Sequence, residues 1–209
     1  MQVTVLGANG KVGQLVVQFL LDEGYYVAAM VHHHNSLPRH ARLHIRMGDI
    51  HIASDVAEAI EGSKAVISCL SSWHAPEKDI LSSAIQHVVP AMRSRGISRI
   101  ISLTGAGAVT ESDKLNPIDR LGHTFFNTVA PQVLRDAEDH ITLLRDSELD
   151  WTVVRSPVMT ESGSRKYELQ AEPPSPWQTI HRHAVARCLA DQVDSRLYLQ
   201  EAPFIIRAS

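Results

Sequence analysis

The sequence predicts an α/β protein: a doubly wound parallel sheet with helices on both faces and a small C-terminal cap over the strand ends. Three observations predict it. Short apolar runs rich in β-branched residues alternate with longer stretches of helical periodicity, the pattern of strands joined by right-handed crossover helices. The run Ala65 to Cys69 is apolar almost throughout, as a central parallel strand buried on both faces must be. The first run, Val3 to Leu6, breaks into three glycines at a spacing of three, Gly7, Gly10 and Gly13, just before a helical pattern begins. The 209 residues are enough for one domain with a sizeable core, residues 155–209 contributing the cap.

Each glycine has a physical reason. Gly7 lets the chain leave the strand in a tight turn. Gly10 leaves room for a pyrophosphate to approach the backbone, and Gly13 lets the following helix pack closely on the sheet. The amides from Asn9 to Val12 lie at the helix N-terminus, where unpaired N–H groups and the helix dipole favour an anion. Lys11 either adds a positive charge there or points into solvent. Val12, Leu15, Val16, Phe19 and Leu20 form the apolar face of this helix, and Gly24 caps its end.

Tyr26 to Val31 reads as the second strand. A carboxylate at its end would bond the 2′-hydroxyl of a ribose and favour NAD, whereas basic residues there accommodate the 2′-phosphate of NADP. The chain has His32-His33-His34-Asn35-Ser36, with Arg39 and Arg42 close behind, so the expectation is NADP(H) over NAD(H). Three consecutive histidines leaving a strand point in alternating directions, which argues for loop or cofactor contacts and against a metal site. Leu43 to Met47 is the third strand. Asp49, with Ile50, either flanks an adenine or opens the next helical turn, around Asp55 to Ile60.

After the fourth strand, Leu70-Ser71-Ser72-Trp73-His74-Ala75-Pro76 lies at a carboxyl end and faces the nicotinamide half of such a cofactor. A helix from Asp79 to Arg95 follows, which Pro90 should kink or interrupt. Arg99 to Thr104 is the fifth strand. Residues 110–122 are polar and read as a flap-like loop leading into a short helix, and a longer helix follows Pro131. Trp151 to Arg155 is the sixth strand. Beyond it come a turn at Ser162-Gly163-Ser164, a strand from Tyr167 to Ala171, a proline-rich loop, a helix from His183 to Ala190 and a last strand ending at Arg207.

Composition bounds the rest. The net charge of −3 gives no electrostatic case for nucleic acid or an anionic membrane surface. The apolar runs are too short to span a bilayer, and the first residues have no signal-peptide layout. Cys69 and Cys188 read as reduced thiols, and the location expected is cytoplasmic. The expected assembly is a monomer or homodimer.

Four stretches carry a resemblance: Gly7-x-x-Gly10-x-x-Gly13, Gly48-Asp49, Ser102-Leu103-Thr104, and Asp146-Ser147-x-Leu149-Asp150-Trp151-Thr152-Val153-Val154-Arg155-Ser156-Pro157. Together they resemble the atypical short-chain dehydrogenase/reductase superfamily, in its NAD(P)-binding NmrA-like branch, which includes biliverdin reductase B, a flavin reductase. The resemblance implies a Rossmann-like fold. It places Gly7, Asn9, Gly10, Lys11 and Val12 on the pyrophosphate, and His32, with His33 and Arg39 close by, at the 2′-phosphate. It places Asp49 and Ile50 at adenine, Leu70 and Ser71 near the ribose, and Thr104 and Pro157 near the nicotinamide. Departures matter too. No tyrosine is followed by a lysine four residues on, so the Tyr-Lys pair of classical dehydrogenases is absent. Gly105 and Val158 stand where flavin and biliverdin reductases have a serine and a histidine, and Ala184 stands where relatives carry an aspartate two residues after an arginine.

Two functions follow as expectations. One is an NAD(P)H-dependent reductase passing a hydride to a small planar acceptor such as a flavin or quinone, with Thr104, Ser71 and His74 as polar helpers. The other is a non-catalytic NADP(H)-binding redox sensor of the NmrA-like type, acting on a protein partner through the segment from Val109 to Gly122.

Overall fold

The computed structural model describes residues 1–73 and 75–208. Its main sheet starts with β1 (Gln2–Leu6), β2 (Tyr26–Val31), β3 (Leu43–Met47), β4 (Ala65–Ser68), β5 (Arg99–Gly105) and β6 (Asp150–Ser156). These six strands are parallel in the order β3-β2-β1-β4-β5-β6. The chain therefore winds outward from β1, returns to the middle, and winds the other way, leaving a crevice between the carboxyl ends of β1 and β4.

Strand alternation divides the core into two layers. Val3, Val5, Ile67, Ile101 and Val154 face one side, with α1 (Lys11–Asp22) and α6 (Arg182–Asp191). Leu6, Val66, Ile100 and Val153 face the other, with α2 (Ala53–Ala59), α3 (Ile80–Ser94) and α5 (Pro131–Arg145). A strand buried on both faces has no polar side, which explains the continuous apolar run of β4. The outer strand β3 instead exposes His44, Arg46 and Met47, and charged side chains of this kind protect a sheet edge from pairing with another chain.

The helix α3 runs through Pro90 as one element; Pro90 and Gln86, whose carbonyl loses its partner, are both exposed, so water can satisfy that carbonyl. Residues 110–122 run as a loop into a helix, and the loop is anchored. Asp113 forms a buried ion pair with Arg155 of β6, and Arg155 also donates to the carbonyls of Ala108 at 3.2 Å and Ala202 at 2.7 Å. The segment then enters a thirteen-residue helix, α4 (Pro117–Val129), started by a capping box between Asn116 and Asp119.

The chain beyond β6 divides. Two of its strands, β8 (Tyr167–Gln170) and β10 (Phe204–Arg207), extend the main sheet past β6, with β8 antiparallel at the edge. The other two, β7 (Val158–Thr160) and β9 (Thr179–His181), form a separate parallel pair. Among the described residues no helix is long and apolar enough to cross a membrane.

Candidate functional site

The glycine turn closes the crevice between β1 and β4. Gly7 has φ +71°, a left-handed conformation that side chains resist, and a Cβ there would lie 3.1 Å from the Cys69 backbone and 3.2 Å from Leu70 Cδ2. A Cβ on Gly13 would meet the Gly7 carbonyl oxygen at 2.3 Å, so the first turn of α1 packs on the turn itself. Gly10 is the N-cap of α1 and offers no side-chain cap; the first intrahelical bond runs from the Gln14 N–H to the Gly10 carbonyl at 2.9 Å. The amides of Lys11, Val12 and Gly13 therefore precede any intrahelical partner and present a cradle for an anion. The Val12 side chain is in the core, so only its backbone faces that cradle, and Lys11 is exposed.

Asn9 belongs to the same turn but reaches elsewhere. Its amide nitrogen donates to the His34 carbonyl, and its Oδ1 accepts from the Ser36 N–H at 3.1 Å and the Ser36 hydroxyl at 2.9 Å. Gln14 reinforces this with bonds to the Asn9 carbonyl at 2.8 Å and to Ser36 Oγ at 3.2 Å. The loop after β2 is thus stitched to the glycine turn.

Val31 and Met47 are partners in the sheet, so the next residues, His32 and Gly48-Asp49, emerge side by side. His32 Nε2 lies 3.4 Å from Asp49 Oδ2, and the His32 and His33 rings stack at 3.6 Å. Asp49 also accepts from the His51 N–H at 2.9 Å. That backbone bond, with the charge of His32, His51 and His33, holds its carboxyl below the usual carboxylate range. The Asp49 N–H donates to Asp55 Oδ2, which opens α2. Ile50 is buried in the core against α2. Arg39 is exposed on the same loop, whereas Arg42 is turned away, its guanidinium donating to the Leu21 carbonyl at the far end of α1.

At the other half of the crevice, the ends of β4, β5 and β6 are neighbours. Leu70 touches the glycine turn, and Ser71 is exposed, its hydroxyl only 3.4 Å from the Trp73 N–H. Thr104 is buried, and its hydroxyl has no partner among the described residues. Pro157 is buried beside the junction where Ser156 accepts from the Ala106 N–H at 2.8 Å. His74 lies outside the described residues.

Two features here escaped the sequence reading. Asp136 of α5 caps α3 from outside its own helix. It accepts from the N–H groups of Leu81 at 3.1 Å and Ser82 at 2.9 Å, and from the hydroxyls of Ser82 and Ser72. One turn on, His140 meets the Ser102 hydroxyl at 2.8 Å, and burial pushes its imidazole down to about 4, so it is neutral at pH 7. The signal was their position: Asp136 and His140 are four apart and flank the apolar residues Ala137 and Ile141 on the core face.

The second feature is a cavity of about 250 Å³ beside the cradle, lined by Lys11, Gln14, Leu15, Glu161 and Arg182. Arg182 opens α6 and pairs with Glu161, which follows β7. Register explains the meeting, because Thr160 and His181 are partners and their successors leave the pair together. No sequence spacing links these two residues to Lys11.

The cradle of free amides suits the pyrophosphate of a dinucleotide. Comparison with known proteins finds the same fold among solved structures. The whole chain aligns with a Veillonella parvula DSM 2008 short-chain dehydrogenase/reductase of the wide type solved in complex with NADP, at 16% identity over 95% of that chain, with a TM-score of 0.78. It aligns over its full length with ChuY, an anaerobillin reductase from Escherichia coli O157:H7, at 20% identity over 98% of that chain, with a TM-score of 0.76. It also aligns in full with a candidate NADH-flavin reductase from Streptococcus pneumoniae TIGR4, at 21% identity over that entire chain, with a TM-score of 0.78. At these identities the likeness is one of fold. The model of the NAD(P)H-binding family, in contrast, matches the sequence itself across residues 7–196, and the chain belongs to that family.

Proposed function

We propose that the protein is an NAD(P)H-dependent reductase that delivers a hydride to a small planar acceptor, such as a flavin or quinone, with no Tyr-Lys pair. The observation that carries this reading is the glycine cradle. A Cβ at Gly13 would overlap the Gly7 carbonyl, and the amides of Lys11 to Gly13 are left for an anion. The family match and the reductases among the structural neighbours support it.

In this reading a bound nicotinamide supplies the hydride, and the protein supplies position. The glycine turn and Lys11 hold the pyrophosphate. His32, His33 and Arg39 receive the 2′-phosphate, favouring NADP(H). Asp49 and Ile50 bound the adenine, and Leu70 and Ser71 line the ribose. Thr104, whose buried hydroxyl lacks a partner, donates to or accepts from the nicotinamide amide, and buried Pro157 backs the ring. The acceptor lies over the exposed side, near Ser71 and Val158. Hydride transfer to a flavin or quinone needs one further proton, which water can supply, so no side chain need act as an acid.

The test is NADPH and NADH oxidation with a panel of free flavins and quinones. Saturable turnover with at least one acceptor is expected. Gly10→Val, which fills the space over the cradle, should abolish both turnover and dinucleotide binding while leaving the fold intact by circular dichroism. Dinucleotide binding with no turnover on any acceptor would overturn the enzymatic reading.

A further inference from the structure

Two cations and one carboxylate line the cavity of about 250 Å³ beside the cradle. Lys11 is the first residue of α1 and Arg182 the first of α6, and the two helices pack on one another. Gln14 is already committed to the Asn9 carbonyl and Ser36, and Leu15 supplies an apolar wall. The charged lining is therefore Lys11 and Arg182 against Glu161, a net positive charge. The Arg182–Glu161 pair is lopsided, because the Arg182 side chain is 15% exposed and that of Glu161 is 70% exposed. A buried guanidinium must keep an anionic partner, since an uncompensated charge away from water is costly. An exposed carboxylate has water as an alternative, and its pairing is worth little. The cation is thus fixed and its counter-ion exchangeable. The planar fork of a guanidinium takes the oxygens of a phosphate or a carboxylate alike.

The place of the cavity indicates what brings the anion. The backbone amides of Lys11 to Gly13 already serve a pyrophosphate, and the cavity lies off that cradle, between α1 and the chain that follows β6. β7 leaves the carboxyl end of β6 at Val158, whose side chain is 66% exposed, and Glu161 comes directly after Thr160 at its end. At about 3.3 Å per residue, Glu161 stands about 10 Å along the strand from Val158. The acceptor ring proposed above lies near Val158, so a tail of modest length on that ring reaches Arg182.

We propose that Arg182 selects an acceptor that carries an anionic tail, a phosphate or a carboxylate, and that Glu161 holds the place of that tail until the acceptor binds. Lys11 stays with the pyrophosphate at the edge of the cavity and adds to the attraction. The inference rests on the reductase reading and goes further by choosing among planar acceptors. It favours a ring with a charged side chain over the same ring with a neutral one.

The experiment compares flavin mononucleotide with riboflavin, which share the reacting ring and differ in the phosphate. Each is titrated by its fluorescence into the intact protein saturated with NADP+, and each is then tried as an acceptor for NADPH. Flavin mononucleotide is expected to bind about tenfold tighter than riboflavin, the size of one charge-assisted contact, with a KM lower by a similar factor. Arg182→Gln should bring the ratio of the two affinities close to one, and Arg182→Lys should keep part of it. Glu161→Gln, a change at an exposed side chain, should widen the ratio several-fold, because the competing carboxylate is gone. These opposite signs, with thermal melts of each variant, separate the effect from misfolding. Equal affinity for the two flavins in the unmodified protein overturns the inference, and so does a ratio that Arg182→Gln leaves unmoved or a failure of both flavins to bind. A loss in Arg182→Gln that falls on NADP+ affinity, read by calorimetry, assigns the guanidinium to the cofactor and overturns it as well. Turnover of both flavins alike leaves the reductase reading standing and this inference fallen. Phosphate-dependent flavin binding with no turnover on any acceptor does the reverse, leaving the anion site and removing the enzyme.

Discussion

Two glycines in helices separate steric need from conformational freedom. Gly13 has no room for a methyl group, which would meet backbone atoms at 2.3 and 2.9 Å, whereas a methyl on Gly122 of α4 would meet nothing within 4 Å. Gly13→Ala should therefore destabilise the protein by about 1–3 kcal/mol or more and weaken dinucleotide binding. Gly122→Ala should stabilise by about 0.5–1 kcal/mol, because alanine loses less backbone entropy on forming a helix. Paired chemical denaturation curves check both signs. His140 gives a prediction of a different kind. Its pKa is near 6.5 in the unfolded chain and about 4 when folded, so between those values the unfolded chain binds a proton that the folded one refuses. The stability is full above pH 6.5 and is lost as pH falls toward 4, by roughly 3 kcal/mol in all. His140→Gln should remove that part of the slope, which urea midpoints at pH 7 and pH 4.5 would show as a smaller difference than in the unmodified protein.

The elements were legible where one periodicity decided them. The β1-turn-α1 unit, the strands through β6 and the helix after Pro131 follow from alternation, glycine spacing and apolar stripes. What escaped depended on contacts between elements. The N-cap residue of α3, Asp79, makes no side-chain cap, and the cap comes from Asp136, more than fifty residues further along. Asp136→Ala should leave the Leu81 and Ser82 N–H groups without partners inside the protein, at a cost of about 2–3 kcal/mol. Faster hydrogen exchange over residues 80–83, more than elsewhere in α3, would mark that as its origin. The Asp49–His32 pair was hidden in the same way. Inspecting the end of β2 for a carboxylate finds none, because the carboxylate is brought there by the sheet register of β3. The anchor of the loop that opens residues 110–122 escaped for the same reason. A polar sequence reads as a mobile loop until its aspartate is seen to reach a buried arginine across the fold.

At the scale of the whole molecule, Arg155 is a junction. It sits over the Phe204 ring at 3.6 Å, bonds Ala202 before β10 and Ala108 after β5, and pairs with Asp113, with both side chains almost fully buried. Removing one partner leaves an uncompensated buried charge. Asp113→Ala should cost about 3–5 kcal/mol and lower the melting temperature by on the order of 10 °C. Replacing both with apolar residues, Arg155→Met with Asp113→Leu, should recover much of that loss. The two cysteines belong to the core layer that holds the first helix: Cys69 follows β4 behind Gly7, and Cys188 is in α6, which packs on α1. Both are buried, and burial pushes the Cys69 thiol up to about 12 and raises Cys188 as well. Only a thiolate reacts with alkylating reagents, so the folded protein should ignore them. The chain thus carries two internal stopwatches. Each starts only when its own neighbourhood opens, and a ligand seated on the glycine turn should slow the one at Cys69 more than the one at Cys188.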